Sequence, residues 1–219
     1  MTFADRAEAG RRLAERLLHF KDRAPIVLAL PRGGVPVGYE IARALAAPLE
    51  VVLVRKLGAP DQPELAIGAI ALGKEPETVT APDLIAALGI SPQEFAAIEA
   101  RELKELIRRR DVFGGDRPPP DVAGRTAILV DDGIATGATM RAALRATRSG
   151  QPARLVLAVP VAPPETLDAL TADADEIICL NRPRRFLAVG RFYRHFPQLE
   201  DREVLELLEK ARQPGTGAV

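Results

Sequence analysis

The sequence predicts an α/β fold, a doubly wound and mostly parallel sheet with flanking helices, on three observations. Five short runs, at residues 25–30, 49–60, 126–130, 154–161 and 176–180, are rich in Val, Ile and Leu, as strands buried on both faces are. Segments of helical period stand between them, and that alternation gives a parallel sheet wound in both directions. Two of the runs pass straight into glycine-containing turns and then helices, the strand-to-helix handover at whose edge open α/β sheets bind ligands.

The 219 residues suffice for one substantial domain, 1–219, with an inserted helical cap at 74–124 and a C-terminal hood and helix at 181–219. Lys plus Arg and Asp plus Glu number 30 each, so the formal charge is zero; no nucleic acid and no membrane is expected as a partner. The single cysteine, Cys179, excludes an internal disulfide, no apolar run approaches bilayer-spanning length, and the first dozen residues mix acids and bases. A cytoplasmic location is expected.

Between Phe3 and Phe20 the spacing of Ala7, Gly10, Leu13, Ala14, Leu17 and Leu18 makes one apolar helix face. Asp5, Arg6, Glu8, Arg11, Arg12, Glu15 and Arg16 fall mostly on the other. His19 at its end reads as a surface or cap residue, having no second ligand at helical spacing, and no metal ligand is assigned. The strand at 25–30 runs into Pro31-Arg-Gly-Gly34 and a helix reaching Leu45. Arg32, Gly33 and Gly34 set one cation and two compact amides at a strand's carboxyl end, which suits a diphosphate. A glycine turn with a solvated Arg is the simpler alternative. The strand at 49–60 carries Arg55 and Lys56, which need an anion or solvent, since unpaired buried charge is costly. Residues 58–65 are polar and proline-rich, a loop, with 66–70 returning as a strand.

Residues 82–88 with Gly89 form a short helix and its C-cap. Ser91-Pro-Gln-Glu94 is a capping box with proline at the first helical position. The helix that follows runs to about Arg110, with Phe95, Ile98, Leu103, Leu106 and Ile107 as its apolar contacts. Arg108, Arg109 and Arg110 read as a solvated face at its end, and Pro118-Pro-Pro120 breaks the chain before the central strand. After the strand at 154–161, residues 163–170 form a helix begun by proline, and Cys179 is a small core residue of the last strand. Residues 182–196 hold three of the seven phenylalanines and one of the two tyrosines, with cations interleaved. Such a segment suits stacking on a heterocycle or a packed loop equally; His195 within it reads as structural. Asp201 caps a final helix with Val204, Leu205 and Leu208 inward, and residues 213–219 form a frayed tail.

The stretch around which the chain is organised is Ile128-Leu-Val-Asp-Asp-Gly-Ile-Ala-Thr-Gly-Ala-Thr-Met140. A buried strand leads through two carboxylates and a loop of Gly and Thr to a helix, whose first N–H groups suit a phosphate. Gly133 and Gly137 let backbone approach an anion, Thr136 and Thr139 add hydroxyl donors, and paired Asp residues can accept from vicinal sugar hydroxyls. A sugar phosphate fits all of these features.

This stretch resembles the phosphoribosyl diphosphate (PRPP) signature of type I phosphoribosyltransferases, with the likeness covering about residues 25–180. The resemblance implies that family's fold and the transfer of ribose 5-phosphate from PRPP to a nitrogen acceptor, a nucleobase or similar heterocycle, with release of diphosphate. It also implies Mg²⁺ held mainly through PRPP and water, and a homodimer is expected. Arg32, Arg55, Lys56, Asp131 and Asp132 are the implied catalytic residues. Arg32, Gly33 and Gly34 resemble the pyrophosphate loop, in which the Pro31–Arg32 bond is the candidate for a cis peptide, and Arg55 and Lys56 resemble a cation pair on the diphosphate. Asp131 and Asp132 would hold the ribose, and Gly133, Ala135, Thr136, Gly137, Ala138 and Thr139 complete the PRPP loop. Residues 58–65 correspond to the mobile loop that closes over the reacting centre. Phe186, Val189, Gly190 and Tyr193 are similar to the hood of 6-oxopurine enzymes, which makes Phe186, with Leu187 beside it, the candidate for the base. In those enzymes an Asp stands where this chain has Ala135, and alanine cannot handle a ring proton; the acceptor class stays open. A non-catalytic PRPP-sensing regulator on the same fold is the alternative, against which the presence of Arg32, Arg55 and Lys56 argues.

Overall fold

The computed structural model describes residues 2–73, 75–113 and 120–213. In chain order the elements are α1 (Arg6–Leu17), β1 (Pro25–Ala29), α2 (Gly34–Leu45), β2 (Leu49–Val51), β3 (Val54–Ala59), β4 (Gln62–Leu72), β5 (Pro76–Thr80), α3 (Pro82–Ala87) and α4 (Pro92–Phe113). Then come β6 (Thr126–Val130), α5 (Ala138–Arg148), β7 (Arg154–Val161), α6 (Pro164–Leu170), β8 (Glu176–Asn181) and α7 (Asp201–Arg212). Five strands form a parallel sheet in the order β2-β1-β6-β7-β8. β1 and β6 are neighbours in direct register from Pro25 opposite Thr126 to Ala29 opposite Val130.

The strands lack polar alternation because both faces are covered. Val27, Ala29, Ile128, Val130, Val156 and Ala158 pack with Leu13, Leu17 and Ile41 on one side. Ile26, Leu28, Leu129 and Leu157 pack with Met140, Leu144 and Leu167 on the other. Both windings of the sheet follow from this alternation of apolar side chains.

The run at 49–60 is two strands. Val52 donates its N–H to Ala29 O at 3.0 Å, while Leu53 O accepts from Leu72 N at 2.9 Å. Hydrogen bonding therefore switches partner between consecutive residues, and β3 leaves the parallel sheet for a separate antiparallel one, β3-β4-β5. The expected loop at 58–65 is largely a hairpin, with Ala59 paired to Gln62 and irregular register about Gly58. Gly58 is required there, since a Cβ would meet Pro63 O at 2.3 Å. Ala69, Ala71 and Val79 of this small sheet pack on Ala142 and Ala146 of α5.

Residues 76–113, expected to belong to an inserted helical cap, begin with β5, a strand absent from the sequence reading, before the helices. Gly89, at φ +66°, follows α3, and Ser91 and Glu94 exchange the bonds of a capping box, Ser91 N to Glu94 Oε2 at 2.9 Å and Glu94 N to Ser91 Oγ at 3.3 Å. The helix α4 runs on to Phe113 and buries Ile98, Glu102, Leu106 and Phe113. Pro118 and Pro119, and the tail beyond Gln213, lie outside the described residues. Near the C-terminus the hood is zipped to the N-terminal segment: Phe3 N donates to Phe192 O (2.8 Å), Arg194 N to Phe3 O (2.8 Å) and His195 N to Ala4 O (2.9 Å). Among the described residues no helix is long and apolar enough to cross a membrane.

Ile128 is fully buried in the central strand, where the surroundings cannot collapse into a vacated volume. Ile128→Ala is expected to cost about 2–5 kcal/mol, read as a lower denaturant midpoint at unchanged slope. A loss below about 1 kcal/mol would count against the tight packing of this strand.

Candidate functional site

Because β1 and β6 are parallel neighbours, the turns leaving their carboxyl ends lie side by side. A Cβ at Gly33 would come within 2.0 Å of Asp132 Oδ2, and one at Gly34 within 2.6 Å of Val130 O. Glycine at both positions is what lets the Arg32 turn rest on the paired acids. The Pro31–Arg32 peptide is cis.

Asp131 Oδ1 accepts from Asp132 N at 2.8 Å, and Asp132 Oδ2 takes Arg6 Nε at 2.7 Å, with both of those side chains almost covered. Burial, and next the charge of Asp132, push the Asp131 carboxyl well above the usual carboxylate range. Burial also raises Asp132, against the pull of Arg6. Arg6 further donates to Pro197 O at 2.9 Å and lies 3.7 Å from the centre of the Phe196 ring, within cation–π range. Tyr193 donates its hydroxyl to Asp132 O at 2.6 Å, and burial followed by the Asp132 charge raises its phenol pKa. The hood is thus tied to the acids themselves.

Past the acids, the loop at 135–139 turns into α5 through Gly137 at φ +81°. Thr166 Oγ1 donates to Ala135 O at 2.7 Å and Ile134 N to Val161 O at 2.9 Å, which anchors the loop to β7 and α6. Ala135 and Thr136 are exposed, and Ala138 and Thr139 are half-buried. Gly133 is enclosed, since a Cβ there would meet Val189 Cγ1 at 2.6 Å.

A cavity of about 620 Å³ opens beside the acids, with Arg6, Arg32, Gly33, Arg109 and Asp132 on its polar wall and Val189 and Phe196 on its apolar one. Arg32 bonds Asp201 Oδ1 through Nε and Leu199 O through Nη1, both at 2.8 Å. Of the expected residues, Arg32, Gly33, Gly34, Asp131, Asp132 and Gly133 are therefore brought together, with the loop at 135–139 leaving from them.

Arg55 and Lys56 are not brought to this cavity. Both lie on β3, which has left the parallel sheet; Arg55 Nη2 binds Glu102 Oε2 at 2.7 Å, and Lys56 is exposed. Burial works to raise Glu102, but its bonds to Arg55 and Arg101 outweigh it and hold the carboxyl low. Phe186 stacks on Phe192 with centroids 5.4 Å apart, and Leu187 is 83% exposed. Neither lines the cavity, because the short helical turn at Val189–Phe192 folds that part of the hood on itself.

Four residues of this region had no site role in the sequence reading: Arg6, expected on the polar face of its helix, Arg109, expected in a solvated run, Tyr193, named only within the hood pattern, and Phe196. Two carried a signal. The buried positions of α1 are Arg6, Ala9, Gly10, Leu13, Ala14 and Leu17, so Arg6 stands in the apolar stripe. Arg109 likewise falls between Leu106 and Phe113 at the spacing of the inward face of α4. A cation inside a helical apolar stripe needs a polar partner across the interface.

Comparisons with known proteins agree with this geometry. A sequence profile described as the phosphoribosyl transferase domain matches residues 4–193. A Mycobacterium tuberculosis protein, provisionally named a phosphoribosyl transferase, is 46% identical over 213 residues, covering 96% of this chain and 47% of that protein. The chain therefore spans about half the length of these curated relatives. The bifunctional protein PyrR of Roseiflexus sp. is 36% identical over 126 residues, 56% of this chain and 62% of PyrR. The crystal structure of TT1426 from Thermus thermophilus, at 43% identity, aligns with a TM-score of 0.80 over 96% of this chain and 99% of its own. With a profile match across nearly all of the described fold and paired acids meeting a glycine turn at the sheet's edge, the chain belongs to the phosphoribosyl transferase family.

Proposed function

We propose that the protein transfers ribose 5-phosphate from PRPP to a nitrogen atom of a nucleobase or similar heterocycle, releasing diphosphate. The observation that carries this reading is the contact of Gly33 with the Asp132 carboxylate. It joins a turn suited to a leaving diphosphate to acids suited to ribose hydroxyls, on neighbouring strands. Asp131 and Asp132 would accept from the ribose hydroxyls, and the N–H groups and hydroxyls at 135–139 would take the 5-phosphate at the start of α5. Arg32, Gly33 and Gly34 would face the diphosphate. As the anomeric carbon gains positive character, the acids beside it and the donors facing the leaving group stabilise the separated charges. Val189 and Phe196 form the apolar wall on which the acceptor would rest.

The residues fit Mg²⁺ carried in on PRPP: Asp131 and Asp132, two hard carboxylates, would stand at the ribose hydroxyls, where a hydrated cation held by PRPP oxygens and water suits them. Bound there, Mg²⁺ would offset the charge of the departing diphosphate. A cytoplasmic homodimer acting on small molecules, without nucleic acid, belongs to the same reading and rests on composition and family resemblance.

PRPP with Mg²⁺ is expected to raise the melting temperature, and the double variant Asp131→Asn, Asp132→Asn to abolish that rise; an equal rise in the variant would contradict the ribose assignment. Incubating PRPP with a panel of purines, pyrimidines and small amines is expected to release diphosphate with at least one of them. Binding without release for any would favour a PRPP-sensing regulator.

The acids also cost stability. Asp131 has its carboxyl raised in the folded chain, so its contribution to stability is full below the unfolded pKa and lost as pH rises through the folded one. Asp131→Asn is expected to raise the melting temperature of the ligand-free protein at pH 7 by about 2–4 °C, for a gain of roughly 1 kcal/mol. The gain should shrink as pH falls toward the ordinary carboxylate range. A lower melting temperature at pH 7 would show that the charge is not a net cost.

A further inference from the structure

Among the three arginines at the cavity, Arg6 and Arg32 each have two donors held by the protein through short bonds. Arg6 holds Asp132 and Pro197 O, and Arg32 holds Asp201 and Leu199 O. Arg109 differs. The acid nearest to it on α4, Glu105, is taken by Arg108 through both carboxylate oxygens at 2.8 Å, and that pairing first of all lowers Glu105 to about 2. Arg109 reaches Glu105 only at 3.5 Å, with 30% of its side chain exposed, and it lines the cavity together with Gly33. A guanidinium offers five donors in a planar fork suited to phosphoryl oxygens.

The helix that carries it is fixed in place. Glu102, two turns earlier on the same inward face, is locked to Arg55 of β3 at 2.7 Å, and Leu106 between them is fully buried. Arg55 thus anchors the helix, and α4 carries Arg109 to the wall of the cavity that Gly33 also lines.

We propose that Arg109, supplied by the inserted helix, is a binding residue for the diphosphate of PRPP. This rests on the PRPP reading and adds a subsite to it: Arg109 binds the phosphoryl oxygens from the α4 wall of the cavity, with Arg55 and Glu102 as positioning residues. Arg110, whose nearest acid is Asp111 at 3.5 Å, lies outside the cavity and serves as the control.

Binding of PRPP, inorganic diphosphate and ribose 5-phosphate, each with Mg²⁺, is measured by calorimetry on wild type, Arg109→Ala, Arg109→Lys and Arg110→Ala. Arg109→Ala is expected to weaken PRPP and diphosphate about tenfold, the loss of one strong charge-assisted contact. Ribose 5-phosphate should stay within about twofold, which also reports an intact fold, and Arg109→Lys should recover part of the loss. Arg110→Ala should bind all three as wild type does. Unchanged diphosphate binding by Arg109→Ala, or an equal loss of all three ligands, would overturn the assignment. If wild type binds none of the three, the PRPP reading itself falls and the inference with it.

Discussion

Everything in this site depends on the closeness of two turns leaving parallel neighbours. β1 and β6 deliver Arg32-Gly-Gly34 and Asp131-Asp132 to the same edge, and the two are separated by less than the space of a methyl group at Gly33. The constraint works in both directions. Without the glycines the acids could not occupy their place, and without adjacent parallel strands the glycines would have nothing to clear.

The acids are held there at a cost. Two carboxylates share a covered position in which burial, and for Asp131 also the charge of Asp132, disfavour ionisation, a condition typical of functional rather than structural groups. Their partial compensation comes from Arg6 of the first helix, which binds the Asp132 carboxylate, while the Tyr193 hydroxyl holds the Asp132 backbone carbonyl. The backbone ladder joining Phe3 and Ala4 to residues 192–195 brings these two groups together. The N-terminal helix and the hood therefore act as one clamp on Asp132, although nearly the whole chain separates them in sequence.

The small antiparallel sheet and α4 add a second layer of organisation. β3 turns away from the parallel sheet, carrying Arg55 to Glu102, and α4 then lies where its far end reaches the cavity. Arg55, expected on the diphosphate, pairs with Glu102 of α4, and Arg109 of the same helix lies on the cavity wall. Arg6 shows what an arginine in the inward stripe of an amphipathic helix can do, since it meets a carboxylate across the interface.

How much was legible in the residues follows from the range of the forces involved. The five parallel strands, the capping box at Ser91, the glycine turns and the acidic pair are dictated by neighbours in sequence, through burial period, caps and backbone freedom. These amount to the fold class and half of the site. The switch of β3 into another sheet, the hairpin at 59–62, the self-stacking of Phe186 and the roles of Arg6, Tyr193, Phe196 and Arg109 arise from contacts between distant segments. Local periodicity carries no record of which helix face meets which loop, so the sequence determined the fold class and where the paired acids and glycine turns stand, and only the tertiary packing decided which side chains surround them.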